Sequence, residues 1–278
     1  MTTDLMILAP LHEVVANLFK SEGPLPLYAN AGLVWDRYLP VWEGEVHNPE
    51  RVKLLYNPLS EFAEAFNRRD TGPHNSAHDL LRFHHERLER AAHIWSGSSK
   101  SHTLRTLHYR VSWRLATGLG VNHPTENGFS FDSLIGVPYI PGSSVKGLCR
   151  RTALVGELDE TEVERLFGPE WITADEPVYQ GELVFLDAYP RRWPQLAVDI
   201  VNCHHPAYYG GRSAVPSETE SPVPVFFLTV DQDSEFTFRI IGPENDLNAA
   251  EELLTQGLDL LGIGAKTAVG YGVMKKSS

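Results

Sequence analysis

The sequence has few cysteines and no long apolar run. Its 278 residues include two cysteines, Cys149 and Cys203, too few for the disulfide framework of a small secreted domain. The longest apolar stretches, such as PVFFLTV, are much shorter than the roughly 20 residues that cross a bilayer. The first residues carry no basic lead before an apolar segment, as a secretory signal would. These absences predict a cytoplasmic protein.

Basic residues are also scarce. The chain has 24 Lys and Arg against 36 Asp and Glu, a formal net charge of -12. This sign argues against long-range steering of a nucleic acid by the whole protein, because phosphate backbones are attracted to positive fields. Any RNA contact must therefore use a local basic patch or a site shared with partners. At 42% hydrophobic residues, the chain can still bury a sizeable core.

Two apolar stripes at helical spacing mark the first third of the chain. The first stripe comprises Leu59, Phe62, Ala63 and Phe66. The second runs over residues 81–95, and the segment GSSKS after it is rich in residues that break helices. We therefore expect residues 1–102 to form a mostly helical extension packed on a core formed by residues 103–278.

Alternation with a period of two begins at Thr103 and predicts a half-buried strand whose polar face carries Arg110 and Arg114. A helix over 143–155, two apolar strands, a helix from Asp246 and a last strand follow. This order is that of the ferredoxin-like βαββαβ plan, so we predict an α+β fold. The helices would cover one sheet face and leave the other to loops, partners or a ligand. RRM domains use that open face to bind single-stranded RNA.

The stretch GSSVKGLCRR opens the first of these helices with basic residues near its start. Ser143 and Ser144 are good N-caps, and free N–H groups at a helix start favour an anion. Lys146 and Arg150 share a face, and Arg151 lies beside them. The motif fits an anion site, and it also fits a capped helix with a solvated basic face.

The segment GIGAKTAVGYG contains four glycines, which predict positive φ angles or close approach of the backbone to another group. They are Gly262, Gly264, Gly270 and Gly272. Lys266 and Thr267 lie between them, but a phosphate-binding P-loop needs Gly where Ala265 stands, which argues against nucleotide hydrolysis. A helix end followed by a tight turn is the other explanation of these glycines.

Residues 189–222 read as a long loop rich in Pro, Tyr, His and Ser. Its segment NCHHPAYYGGR offers side chains that stack on bases or pair with phosphates, and that also occur in protein interfaces. They are His204, His205, Tyr208, Tyr209 and Arg212. Cys203 and the two histidines lack a second cluster at metal-ligand spacing, so we predict neither a metal nor a cofactor.

The motifs occur in an order that resembles a known family. PYIPGSSVKGLCR, LFG, VFLDAYP and GIGAKTAVGYG resemble the signatures of the RAMP proteins of CRISPR systems, over about residues 103–275. The YYG and PVPVFFLTV segments look like one branch of that family, the sixth subunit of the Cmr, or type III-B, effector complex. The resemblance implies a ferredoxin-like, non-catalytic subunit that binds guide crRNA near its 3′ end.

The partners implied by this resemblance are crRNA, target RNA, the backbone RAMP subunit, the small subunit and the other terminal RAMP subunit. The residues that we expect to contact RNA are Ser143, Ser144, Lys146, Arg150, Arg151, Arg110, Arg114, Gly264, Lys266, Thr267, His204, His205, Tyr208, Tyr209 and Arg212. We expect the start of the first helix and the end of the second to lie at opposite ends of the helical layer, so that a joint site depends on how the glycine loop folds back. The alternative is a RAMP endoribonuclease that processes precursor crRNA, with His123 or His108 as general acid or base.

Overall fold

The computed structural model describes residues 18–19, 21–26, 28–39, 41–45, 48–51, 55–70, 76–97, 101–169, 180–203, 210–211, 214–215 and 222–277. The helices are α1 (Ala31–Tyr38), α2 (Tyr56–Asn67), α3 (Ser76–Gly97), α4 (Gly142–Val155), α5 (Glu160–Phe167) and α6 (Glu244–Leu260). The strands are β1 (Trp42–Glu45), β2 (Asn48–Arg51), β3 (His102–Val111), β4 (Val184–Phe185), β5 (Tyr189–Pro190), β6 (Leu196–Cys203), β7 (Val223–Val230), β8 (Glu235–Pro243) and β9 (Met274–Lys276). This mixture of helices and antiparallel strands confirms the predicted α+β class. Within these ranges, no helix is long and apolar enough to span a bilayer.

The pairing of β3 with β8 forms the centre of the main sheet. The strand order is β4-β8-β3-β9, every pair is antiparallel, and β5 also pairs with β8. Leu107 lies opposite Phe238 and Tyr109 opposite Phe236, and all four side chains are buried. The apolar alternation predicted for β3 is therefore confirmed on this face of the sheet.

Helices α4 and α6 pack on each other and cover this apolar face. The residues of the α6 stripe that are fully buried are Leu247, Ala250, Leu254 and Leu258. The Tyr109 hydroxyl is hydrogen-bonded to Thr255 Oγ1 at 2.7 Å, which ties β3 to α6. Gly257 lets the two helices approach closely, because a Cβ atom there would lie 2.4 Å from Thr152 Oγ1.

The relative direction of α4 and α6 corrects our expectation that the start of one and the end of the other lie at opposite ends. Gly257 faces Leu148 and Thr152, and farther along α6 the residue Leu261 lies with Ser144 along one groove. The cause is the antiparallel pairing of β3 and β8. Each of these strands is followed by a helix that runs back along the sheet, so the two helices are also antiparallel. The start of α4 and the end of α6 are therefore neighbours.

The other face of the sheet is partly covered by the chain's own helix α3. Glu89 of α3 accepts a hydrogen bond from Arg239 Nε on β8 at 2.7 Å, and Arg239 Nη2 donates to His85 Nδ1 at 3.1 Å. The Arg239 side chain is 4% exposed. Helix α3 thus occupies one end of the face that we expected loops, partners or a ligand to cover.

Helix α2 and the β6–β7 hairpin share another part of the core. Leu59, Phe62 and Phe66 of α2 are fully buried, and α2 lies against both strands. Asn67 holds the hairpin, because its Nδ2 donates to the Leu196 carbonyl at 2.9 Å and its Oδ1 accepts from the Leu196 N–H at 2.7 Å. The first helical stripe predicted from the sequence is therefore confirmed.

The prediction of one long loop over 189–222 is wrong. Strands β5 and β6 lie in this range, and β6 pairs with β7 from Leu196–Val230 to Cys203–Val223. Strand β6 could not be predicted from its neighbours in the sequence, because much of its packing is against α2, which is distant along the chain. The prediction that β3 carries Arg114 is also wrong, since this strand ends at Val111 and Leu115, farther along the chain, forms a bridge with Val230 of the hairpin instead.

The glycine-rich segment forms the turn between α6 and β9. The predicted positive φ angles are confirmed at all four glycines, which are Gly262, Gly264, Gly270 and Gly272. Gly272 is the most constrained, because a Cβ atom there would lie 1.8 Å from the Ile263 carbonyl oxygen. The Ile263 N–H in turn donates to the Gly272 carbonyl at 3.0 Å. The close approach of backbone to backbone therefore explains much of this glycine pattern.

We predict that Gly272→Ala destabilises the fold more than Gly270→Ala does. Both glycines have positive φ, 71° and 96°, so alanine costs about 1–2 kcal/mol at either position. Only Gly272 adds a backbone clash, which should bring its loss to about 3 kcal/mol or more, whereas Gly270 has nothing within 4 Å of its Cβ position. Thermal midpoints of the two variants measure the difference, and equal midpoints would contradict the packing account.

Candidate nucleic-acid interface

A groove of about 630 Å³ lies where α4 begins and α6 ends. Ser144 and Arg151 line it from α4, and Gly264 and Thr267 line it from the glycine-rich turn. We call this the α4 groove. It brings together four of the residues that the sequence predicted to contact RNA, although the pair on α4 and the pair on the turn are more than 100 positions apart in the chain.

The third wall of the α4 groove comes from residues 117–120 and from Ser130, none of which was predicted from the sequence to contact RNA. This segment is folded closely on itself, because a Cβ atom at Gly118 would lie 2.3 Å from Ser130 Oγ. Its Gly- and Asn-rich composition marks a loop. Composition alone does not reveal that the loop reaches α4, so the sequence carried no usable signal for this wall.

The start of α4 differs from the prediction. Pro141, and not Ser143 or Ser144, is the N-cap, and no side chain caps the helix from that position. Asp187 Oδ1 instead accepts the Gly142 N–H at 2.6 Å. A carboxylate suits the positive end of a helix dipole. It also occupies one donor that an external anion would need, so the helix end itself is a weaker anion site than the motif suggested.

The three basic residues of α4 have different environments. Arg151 is exposed and, among the described residues that line the α4 groove, it alone carries a charge. Arg150 Nη1 donates to the Gly168 carbonyl at 2.8 Å and so holds the end of α5. Lys146 is half-buried, and burial together with the nearby Arg150 lowers its pKa. Arg151 is therefore the residue best placed to reach a ligand in the groove.

The backbone of the glycine-rich turn is mostly committed to the fold. The N–H groups of Gly262, Ile263 and Ala265 donate to the carbonyls of Gly257, Gly272 and Ala116, respectively. Lys266 has a left-handed conformation, with φ of 59°, and its ammonium lies 5.2 Å from the centre of the Phe227 ring. The turn therefore forms one wall of the groove, and these three N–H groups are not free to bind an anion.

The two arginines predicted on the polar face of the first strand do not share a site. Arg114 forms an ion pair of 2.7 Å with Asp199 of β6, and Asp199 also accepts from the Tyr271 hydroxyl at 2.6 Å. Arg110 remains more exposed, 3.9 Å from Glu235. Arg114 therefore joins the sheet to the hairpin, whereas Arg110 stays accessible at the outer face.

The remaining residues predicted to contact RNA lie outside the described residues. They are His204, His205, Tyr208, Tyr209 and Arg212. Ser143 is described and exposed, but it does not line the α4 groove.

Comparison with known proteins assigns the chain to a family. The profile of the RAMP superfamily matches residues 93–275, more than half of the chain. The chain belongs to the RAMP superfamily. The match begins ten residues before the predicted core, and so includes the end of α3.

Two curated relatives refine this assignment. The chain is 30% identical over 232 residues to the CRISPR system Cmr subunit Cmr6 of Pyrococcus furiosus, covering 61% of this chain and 68% of the relative. It is also 30% identical over 155 residues to the Cmr6 subunit of Saccharolobus solfataricus, covering 55% of this chain and 49% of the relative. These relatives confirm the resemblance to the sixth Cmr subunit. A chain in the structure of the type III-B Cmr-beta complex bound to cognate target RNA shares the fold, with a TM-score of 0.58 at 24% identity over 72% of this chain and 66% of that chain.

His123, one of the two histidines predicted as a catalytic candidate, is held in place by contacts within this RAMP chain. The His123 ring stacks on Trp35 at 4.4 Å between ring centroids, and its Nε2 hydrogen-bonds to the Trp35 carbonyl at 2.9 Å. Its Nδ1 accepts from the Thr125 N–H at 3.3 Å. Both ring nitrogens are therefore used, and burial lowers the pKa of His123.

We predict that this RAMP chain loses stability as the pH falls from about 7 to about 5.5. Burial lowers the pKa values of His84, His85, His108 and His123 below the ordinary value of 6.5. The unfolded chain then binds protons before the folded chain does, so stability is complete above about pH 6.5 and is lost on acidification. The thermal midpoint across this range tests the sign.

A matched variant isolates one of these histidines. His123→Gln can still donate to the Trp35 carbonyl but does not titrate, so it should make the midpoint less dependent on pH. A midpoint of the unmodified chain that is constant or that rises on acidification would contradict the prediction.

Proposed function

We propose that the chain is a non-catalytic, RNA-binding subunit of a type III-B Cmr effector complex and that it binds guide crRNA near its 3′ end. The observation that carries this proposal is the α4 groove, in which Ser144 and Arg151 meet the glycine-rich turn. The names of the relatives, both Cmr6 subunits, support the complex. In this proposal its partners are crRNA, target RNA and the backbone, small and other terminal RAMP subunits, in the cytoplasm.

We also propose that residues 103–278 form a ferredoxin-like domain and residues 1–102 an extension packed on it. The strand order β4-β8-β3-β9 supports this, because in chain order the strands of the domain are β3, β4, β8 and β9. Numbered in that way, the sheet reads 2-3-1-4, with α4 after the first strand and α6 after the third. The contacts of α3 with β3 and β8 support the packing of the extension.

The chemistry of the α4 groove suits the backbone of RNA rather than its bases. Hydroxyl groups from Ser130, Ser144 and Thr267 and the guanidinium of Arg151 are donors for phosphate oxygens. Contacts with phosphate position an RNA strand without reading its sequence. A subunit that serves many different guides requires this kind of contact.

The alternative function, an endoribonuclease, needs a general acid or base that can reach the scissile phosphate. His123 is held on Trp35 through both ring nitrogens, which disfavours it as that group. His108 is half-buried, and its Nδ1 lies 3.2 Å from Thr237 Oγ1. His108 is therefore the better remaining candidate for this rival function.

We predict that Lys146→Glu combined with Arg151→Glu lowers the guide-RNA content of purified complexes and leaves the fold intact. The reversed charge of Arg151 would repel phosphate in the α4 groove, and that of Lys146, on the same helix outside the groove lining, adds to the negative field there. Each lost phosphate contact should reduce the salt slope of RNA binding by about one. Arg151 is exposed, and substitutions at exposed positions usually change stability by about 0.5 kcal/mol or less; Lys146 is half-buried, so the thermal midpoint checks that the substitution there is tolerated. RNA content and thermal midpoint are the two measurements.

The matched control is Arg37→Glu combined with Arg90→Glu, which changes the net charge equally at exposed positions on α1 and α3 that do not line the groove. Normal RNA content in the groove variant, or an equal loss in the control, would refute the groove as the RNA site. A collapsed midpoint in the groove variant would show that these residues are structural.

We predict that the purified chain does not cut precursor crRNA in the absence of metal. The reason is that His123 lacks a free ring nitrogen for proton transfer. Gel analysis of labelled precursor RNA after incubation with the protein is the measurement. Specific cutting that is lost in His108→Ala and kept in His123→Gln would replace the non-catalytic proposal with the endoribonuclease.

A further inference from the structure

The outer face of the main sheet has an open end beyond helix α3. The outward-facing pairs across β3 and β8 are Arg110–Glu235, His108–Thr237 and Thr106–Arg239. Helix α3 covers the Arg239 end through Glu89, while the end with Arg110 stays open. Two adjoining cavities of about 500 and 510 Å³ occupy this open end and the gap beneath α3.

These two cavities share His78, Arg191 and Arg192, and we treat them together as the α3 pocket. Its arginines are Arg82, Arg110, Arg191, Arg192 and Arg239. Its acidic side chains are Asp79, Glu89, Asp233 and Glu235. On a chain with a net charge of -12, a pocket with an excess of arginine is a local exception.

The acidic side chains leave part of this positive charge without a partner. Glu235 is shared, because its two carboxylate oxygens lie 2.9 Å from Arg191 and 3.9 Å from Arg110. Arg82 is paired twice, with Asp79 at 3.1 Å and with Glu86, outside the pocket lining, at 3.3 Å. Within the described ranges, no ion pair to the exposed Arg192 is seen. The guanidinium of Arg192 is therefore available to a ligand.

Arg239 gives an independent indication of a missing acceptor. Its side chain is 4% exposed and lines the pocket, with Nε on Glu89 at 2.7 Å and Nη2 on His85 at 3.1 Å. Its Nη1 is buried and finds no hydrogen-bond partner among the described residues. A buried guanidinium donor without an acceptor is costly, so native structures normally supply one.

The histidines beside Arg239 are not alternative acceptors for this donor. His85 Nε2 hydrogen-bonds to the Pro190 carbonyl at 2.9 Å and therefore carries the proton, while its Nδ1 already accepts from Arg239. His108 faces Thr237. Burial is the largest cause of the lowered pKa of His108; the charges of Arg191 and Arg239 lower it further, whereas Glu235 and Glu89 raise it.

We propose that the α3 pocket binds the phosphate group of a nucleotide. Planar guanidinium groups bind phosphate oxygens through paired, charge-assisted hydrogen bonds. Arg191 and Arg192, from the segment after β5, and Arg239, from β8, line one cavity. The cavity volumes are in the range of small-molecule sites. The proposal does not depend on the α4 groove, whose lining carries one arginine.

The nucleotide phosphate could come from a free mononucleotide or from a phosphodiester of RNA, and the test separates these sources. The purified full-length chain is titrated with inorganic phosphate, with adenosine monophosphate and with single-stranded RNA of about 10 nucleotides. Calorimetry measures the two small ligands and fluorescence anisotropy measures the RNA. The RNA titration is repeated in the Lys146→Glu/Arg151→Glu chain, so that failure of the α4 groove does not affect the result.

We expect Arg191→Gln combined with Arg192→Gln to weaken the binding of at least one probe by about tenfold or more. Arg192→Gln alone, at an exposed position, should fold normally and show a smaller loss in the same direction. The matched control is Arg37→Gln combined with Arg90→Gln, which removes two exposed arginines outside the pocket and should bind as the unmodified chain does.

The pattern of binding identifies the source of the phosphate. Saturable binding of adenosine monophosphate that competes with RNA assigns a mononucleotide-sized site, and binding of RNA alone assigns a phosphodiester contact. Binding of none of the three probes overturns the proposal. Affinities that are unchanged in Arg191→Gln/Arg192→Gln overturn it as well, because the pocket would then not hold the ligand.

Discussion

The pairing register of β3 with β8 decides which side chains of the main sheet are buried and which face outward. It places Leu107 and Tyr109 with Phe236 and Phe238 on one face, where α4 and α6 cover them. The same register places Arg110, His108 and Thr106 on the other face, where α3 lies. A shift of one residue would exchange the two sets, so burial of the apolar face specifies the register strongly.

The two faces of the sheet consequently have different chemistry. At the end of the apolar side, where α4 begins and α6 ends, the α4 groove is lined by hydroxyl groups, glycine backbone and apolar side chains, with Arg151 as its charged residue. On the outer side, the α3 pocket is lined by several arginines and carboxylates. The whole chain carries a net negative charge, which repels an anion. The arginines of these two sites offset that repulsion locally. The two proposals therefore concern separate sites on opposite sides of the sheet.

Several ion pairs join segments that are remote in sequence. They explain why an arginine that was predicted to contact RNA is instead paired with a carboxylate of the chain. Arg114 and Asp199 connect the end of the sheet to the β6–β7 hairpin, and Arg239 and Glu89 connect β8 to α3. Each arginine looks available in the sequence because its partner lies at least 85 positions away. Truncating one partner of such a half-buried pair would leave the other charge unpaired. The main role of these residues is therefore to stabilise the fold rather than to contact a ligand.

Elements with local signals could be predicted from the sequence. They are the stripe of α2, the helix α6, the alternation of β3, the positive φ angles of the glycine-rich turn and the order of the RAMP motifs, because each depends on neighbours along the chain. The antiparallel contact of α4 with α6, the pairing of β6 with β7 and the capping of Gly142 by Asp187 could not be predicted in this way. These depend on which remote segments meet in space, and periodicity carries no information about that.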